Sequence, residues 1–247
     1  MPMSKKVFLI AAVMMVITIL GGLFYWLKQH GGEIAGSDTV VLSQPIIKWQ
    51  KITITESDKN ITMYMRAPRI IIYNNYRVDN EVNQAITRRI ESLKDDFISA
   101  VTTASEDNGE ANTLNVEIEI LLATPRLLSL SFTTTEHLAG IRSNDPERTF
   151  LIFDLVKGEL LIEGNELFRD DLAWSEAVKT MKTSLLTDYQ GDPNCDLFFA
   201  PKHNGFAASC IGVDRSRGGA HLSITGNISM SMVQEFLDPS VLSDIVQ

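Results

Sequence analysis

The residues able to do chemistry in this chain are few and far apart. There are four histidines, His30, His137, His203 and His221, and two cysteines, Cys195 and Cys210. No histidine falls in HExxH or another close metal spacing. Cys195, His203, Cys210 and His221 are separated by seven, six and ten residues, which fits no usual zinc pattern. GxSxG, SxxK and a Walker A loop are missing too. For a hydrolase or transferase the nameable acid–base residues reduce to Asp154, His137 and His221. Glu117 and Glu119 form an acidic pair, but they alternate with Val116, Ile118 and Ile120, as a half-buried strand does. The expectation is no catalytic centre, no metal and no cofactor.

Binding chemistry has one suggestive string, Ser216-Arg217-Gly218-Gly219-Ala220-His221. Backbone N–H groups there, beside Arg215 and Arg217, could hold an anion. The plainer reading is a turn between strands. Arg142, in the irregular segment 137–148, joins Arg215, Arg217 and His221 as the candidate ligand-binding set.

The two cysteines bracket CDLFFAPKHNGFAASC, which reads as a hairpin with strands Asp196–Ala200 and Gly205–Ile211. Pairing Ala200 with Gly205 sets Phe199 opposite Phe206, Leu197 opposite Ala208, and Cys195 opposite Cys210. All six side chains then share one face, and the cysteines are close enough to bridge. A disulfide is expected, with two free thiols in an apolar strand pair as the alternative. It would imply an oxidising compartment.

Elements to position these residues follow from the pattern of apolar positions. From Val7 to Leu27 twenty-one residues carry no charge, with Lys5 and Lys6 before them and Tyr25 and Trp26 at the far end. A helix of that length reaches about 31 Å, the thickness of a hydrocarbon core. The lysine placement puts residues 1–6 in the cytoplasm and everything after Lys28 outside. The run is longer than a cleaved signal core and lacks a good cleavage site, so an uncleaved anchor is expected, with the bilayer as its partner. Residues 28–45 read as a linker and 46–247 as the exported domain.

In that domain Ile46–Thr55 and Ile61–Ile72 read as strands, with Pro68 marking a bulge or edge. Val82, Ile86, Ile90, Leu93, Phe97 and Val101 form one helical stripe, capped at Asp79 or Asn80. Val116, Ile118 and Ile120 pair with Leu128, Leu130 and Phe132 in a hairpin that leaves Ser129 and Ser131 outside. A hairpin over 149–162 leads to a helix capped by Asp170 or Asp171, with Trp174, Val178, Met181 and Leu185 on one face. The cysteine hairpin, the strand HLSITGNIS, a short helix at MSMVQEF and a mixed tail complete the chain. Strand runs separated by two long helices imply an α+β fold with a mostly antiparallel sheet.

The stretch TFLIFDLVKGELLIEGNELF (149–168) resembles a known family. It is similar to the exported domain shared by the bacterial lysozyme-sensing anti-sigma factor (RsiV-type) and the accessory region of certain peptidoglycan deacetylases (PdaC-type). That family has a pattern close to N-F-D-x-x-T-G-x-x-L-x-x-x-D-L-F. Phe153, Asp154, Gly158, Leu160, Leu167 and Phe168 match it, while Ile152 and Lys157 replace its Asn and Thr. The resemblance spans roughly 46–240 and implies a deacetylase-accessory-like half (46–145) and an RsiV-like half (146–247). A Gly-Ala-His loop common in the family is here Ala139-Gly140-Ile141-Arg142, without His. Six residues are too few for an anti-sigma domain, and no metal-dependent deacetylase domain is visible. The resemblance therefore implies the binding ectodomain alone.

Charge narrows the partner. The formal net charge is −9; residues 1–28 contribute +3, so the remainder carries −12. Such a surface argues against nucleic acid and suits a basic partner. The expectation is a membrane-tethered extracytoplasmic binding domain for cell-wall glycan (peptidoglycan) or a lysozyme-like protein. A structural partner of another envelope protein is the alternative, and an envelope hydrolase a more distant one.

Overall fold

Alternating strands build two sheets. The computed structural model describes residues 43–57, 60–73, 75–104, 110–140, 145–162 and 164–246. The anchor run 7–27, the tip before it, most of the linker and Arg142 lie outside these residues. Among the described residues no helix is long and apolar enough to cross a membrane.

The first sheet has six strands in the order β1 (Ile46–Glu56), β2 (Ile61–Ile71), β3 (Asn112–Ala123), β4 (Leu127–His137), β5 (Glu147–Asp154) and β6 (Glu159–Leu160). Every neighbouring pair is antiparallel except β2 and β3. A parallel pair needs a long crossover, and helix α1 (Tyr76–Ala104) supplies it. The fold is α+β with a mostly antiparallel sheet. β5 completes the sheet begun by residues before 145, so both sides of that expected boundary share it.

Helix α1 covers one face. Val78, Val82, Ile86, Phe97 and Val101 bury against Met63, Met65, Leu114, Val116, Leu130 and Phe132. The expected stripe is present, but the helix starts earlier than Asp79. Asn75 caps it by accepting from Val78 N at 3.2 Å, so Val78 joins the stripe. Pro68 sits beyond Met65, the last β2 residue paired to β3, where β2 is locally an edge. There Asn83 of α1 takes over: its Oδ1 accepts from Ile70 N at 2.9 Å and its Nδ2 donates to Ile70 O at 2.7 Å.

The other face is covered over β4 and β5 by the second sheet, β7 (Pro193–Lys202), β8 (Gly205–Asp214) and β9 (Ala220–Ser229). Strand β3 contributes to both cores through a bulge between Ile120 and Leu122. Before it, even-numbered Val116 and Ile118 face α1; after it, Leu122 pairs with Ser129 and packs in the second core. This layer overturns one expectation. Ser129 and Ser131 are 0% and 1% exposed, because the small sheet lies over them. The Ser129 hydroxyl donates to Pro201 O, and Ser131 Oγ accepts from Arg148 Nη2 at 3.1 Å.

Helix α2 (Asp171–Leu185) closes the small sheet, capped by Asp170, whose Oδ1 accepts from Ala173 N at 2.7 Å. Phe168, Trp174, Phe199 and Phe206 cluster there, Phe168–Trp174 tilted with ring centroids 5.3 Å apart and Phe199–Phe206 edge-to-face at 5.8 Å. The chain ends differently from expectation. MSM forms one 3-10 turn, and the tail forms helix α3 (Pro239–Ile245), started by Asp238 accepting from Ser240 N at 2.8 Å. Val241 and Ile245 are buried, which gives the tail its reason to fold.

The cystine Cys195–Cys210 is present, with Cα atoms 5.4 Å apart. The hairpin register is shifted by two from the expected one: Lys202 pairs with Gly205, Phe199 with Ala208, and Leu197 with Cys210. The turn is the two residues His203-Asn204, with Asn204 at φ 58°, rather than a four-residue loop. A shift of two preserves every facing, so the six apolar side chains still share one side. The cystine runs diagonally, because Gly212 stands opposite Cys195. Its fifteen-residue spacing implies a stabilisation of roughly 3 kcal/mol. The double variant Cys195→Ala/Cys210→Ala is expected to lose about that much unfolding free energy in urea denaturation while keeping its far-UV circular dichroism.

Candidate functional site

The part of the six-stranded sheet that the small sheet leaves uncovered is its β1–β2–β3 end. The strand period puts Lys51 and Thr53 of β1 and Tyr64 and Arg66 of β2 on this open face, while half-buried Trp49 also packs against the α1 core. Register then aligns them. Thr53, Tyr64, Asn115 and Thr135 form one rung across four strands, and Lys51 stands opposite Arg66. Trp49, Lys51, Thr53, Tyr64, Arg66, Asn115 and Glu117 line a hollow of about 580 Å³.

Two features of this hollow suit a ligand better than they suit stability. Tyr64 is 51% exposed in the middle of a sheet face. Lys51 and Arg66 are like charges directly opposite each other, a pairing that costs rather than stabilises. Arg66 stacks its guanidinium 5.0 Å over the Trp49 ring, which holds the charge at the surface. Chemically, the hollow offers aromatic faces, two cations and the polar groups of Thr53, Asn115 and Glu117. The alternation WQKITIT was visible in the sequence, but the pairing of β1 with β2, and of β2 in parallel with β3, was not. Without that pairing nothing joins Trp49 to Tyr64.

The residues singled out from sequence lie elsewhere. Arg215, Ser216 and Arg217 form a 3-10 turn after β8, and Gly218 and Gly219 follow at φ 70° and 81°. Backbone N–H groups in this turn point inward. Ser216 N donates to Asp214 Oδ1 at 2.9 Å, Gly219 N to Asp214 O at 2.9 Å, and Gly218 N to Arg215 O at 3.3 Å. Asp214, 1% exposed, fills the place of an anion. It also accepts from Tyr189 Oη at 2.5 Å, Ser216 Oγ at 2.7 Å and Asp192 N at 3.2 Å. Arg217 Nε lies 3.3 Å from Asp214 Oδ2, and its guanidinium 5.8 Å from the Tyr189 ring centre. Arg215 is exposed and has no side-chain partner among the described residues. His221 leaves this group: its Nε2 meets Glu147 Oε1 at 3.2 Å, joining the small sheet to the large one.

Asp154, His137 and His221 do not converge. Asp154 pairs with Leu127 at one end of β4, and His137 ends that strand ten residues on, about 33 Å away. Asp154 is a turn organiser, its Oδ1 accepting from Val156 N at 2.9 Å and Lys157 N at 3.0 Å. Gly158 follows at φ 73° and donates to Asp154 O at 2.8 Å. The 149–168 stretch is thus a folding device, delivering Leu167 and Phe168 to the second core.

No family model and no curated protein matches the chain. Similarity to solved structures exists at low identity. A DUF3298 family member from Bacteroides fragilis is 14% identical over 81% of this chain and 97% of that one, with a TM-score of 0.47. A DUF3298 family protein from Pseudomonas aeruginosa is 12% identical over 79% of this chain and 96% of that one, with a TM-score of 0.45.

The Asp214 site makes a pH prediction. Hydrogen bonds from Tyr189, then from Ser216, hold its carboxyl at about 2, below its ordinary 3.8. A depressed carboxyl stabilises the fold fully above the unfolded value and loses that contribution as pH falls through the folded one. The acid arm of a thermal-melting profile between about pH 4 and pH 2 is therefore expected to flatten in Tyr189→Phe. An unchanged acid arm would show that Asp214 carries none of it.

Proposed function

We propose that the chain is a membrane-tethered, extracytoplasmic, non-catalytic binding domain of the cell envelope, with cell-wall glycan as its ligand. The observation that carries this reading is the exposed rung centred on Tyr64. A pyranose ring presents an apolar C–H face that stacks on an aromatic side chain, while its hydroxyls reach Thr53, Asn115 and Glu117. Lys51 and Arg66, opposed without a ligand, would share a carboxylate of the kind that peptidoglycan stem peptides and muramic acid carry. The uncharged run 7–27 supports the tether, and the family resemblance supports a ligand from the wall or from the enzymes that attack it.

Charge favours a second reading. The −12 carried outside residues 1–28 would steer a basic, lysozyme-like protein toward the domain. The two readings separate on salt and on Tyr64. The full-length chain in detergent micelles is titrated with disaccharide-peptide muropeptides and with lysozyme. Muropeptide affinity is expected to fall at least about tenfold, about 1.4 kcal/mol, in Tyr64→Ala. Lysozyme affinity is expected to fall with salt and to be indifferent to that substitution. Retention of neither at low salt would overturn both.

A further inference from the structure

Strand direction sorts the exposed residues into two unlike ends. β1 begins where β2 ends, and the β2–α1 connection, the β3–β4 turn and the β5–β6 turn all lie at that same end. The chain enters the domain there, at Ile46. Exposed on this end are Ile46 at 38%, Tyr73 at 60%, Tyr76 at 86% and Val156 at 51%. Lys48, Arg69, Arg77 and Lys157 are exposed among them, beside the exposed acids Glu81 in the first turns of α1 and Glu159 at the start of β6. Arg77 Nη2 donates to Lys157 O at 3.1 Å, which binds the start of α1 to that turn and makes one surface of the two. Beside Tyr76 opens a hollow of about 620 Å³ lined by Arg69, Asn80, Gln84 and Arg88, and by Asp79, whose Oδ1 accepts from Asn83 Nδ2 at 2.6 Å. The opposite end holds Glu56, Asn60, Glu110 and Glu136 instead.

Single exposed apolar residues need no explanation. Two tyrosines with two aliphatic residues and four cations at the point where the chain enters do. Tyrosine favours the headgroup level of a bilayer, because its ring is apolar and its hydroxyl wet. Lysine and arginine beside it find lipid phosphates. We propose that this end is a membrane-facing surface, with Tyr73, Tyr76, Ile46 and Val156 at the headgroup–acyl boundary and the Arg69–Arg88 hollow open to phosphodiester headgroups. The inference rests on the tethered reading. It adds that this end of the domain, and not the acidic one, meets the bilayer.

The test uses the full-length chain in vesicles of phosphatidylcholine with a minority of phosphatidylglycerol. An environment-sensitive fluorophore is placed at Val156→Cys or, as the distal control, at Thr102→Cys, about 40 Å along α1 from Tyr76. Quenching by headgroup-nitroxide lipid is expected to be severalfold stronger at 156 than at 102, and to drop when Tyr73→Ser and Tyr76→Ser are added. Equal, weak quenching at both positions in protein that floats with the vesicles would overturn the membrane-facing surface and leave the tether intact. Protein that fails to float with the vesicles would overturn the tether and this inference together.

Discussion

The structure depends on one strand serving two cores. β3 packs against α1 through Leu114, Val116 and Ile118 and against the small sheet through Leu121 and Leu122. A regular strand presents one face to each side throughout its length, so a change of side needs an extra residue. The bulge between Ile120 and Leu122 supplies it. Everything downstream inherits that switch. β4 must then bury Ser129 and Ser131 on the side the small sheet covers, and their hydroxyls need the partners that Pro201 and Arg148 provide. The small sheet is consequently docked over β4, β5 and the end of β3, and β1, β2 and the first half of β3 stay open on the same face.

Two buried carboxylates organise the turns that this arrangement requires. Asp154 gathers the N–H groups of the β5–β6 turn, and Asp214 those of the β8–β9 turn. In both places the chain supplies an anion of its own to a set of backbone donors. Glycine-rich turns of this kind look the same in sequence whether the anion is internal or external. At Asp214 the burial of the carboxylate and its bond to Tyr189 decide for the internal one.

How much of this was legible follows from the range of the interactions. α1 and α2 rest on local periodicity, and their apolar faces were readable except for buried Val78 and Ala85 on α1 and Ala173 and Ala177 on α2. The cystine was readable because both cysteines lie in one hairpin. Its register was misplaced by two because alternation is blind to even shifts. The Asn204-Gly205 dipeptide would not have fixed it: as a two-residue turn it would pair His203 with Phe206, whereas the turn is His203-Asn204. The buried serines, the parallel β2–β3 pair and the Trp49–Tyr64 hollow depend on contacts between segments tens of residues apart. No local pattern encodes those. The α3 tail was missed for a similar reason: seven residues fold only because a distant core accepts Val241 and Ile245.

Asn83 has a consequence beyond satisfying Ile70. Past Met65, β2 would otherwise offer a free backbone donor and acceptor to any extended peptide that drifted by. A side-chain amide anchored in a helix occupies both, so Ile70 cannot pair with a foreign strand. Among the described residues the outer side of β1, eleven residues long, has no partner strand. A strand of that length could recruit another chain, so strand addition has a place to begin at β1.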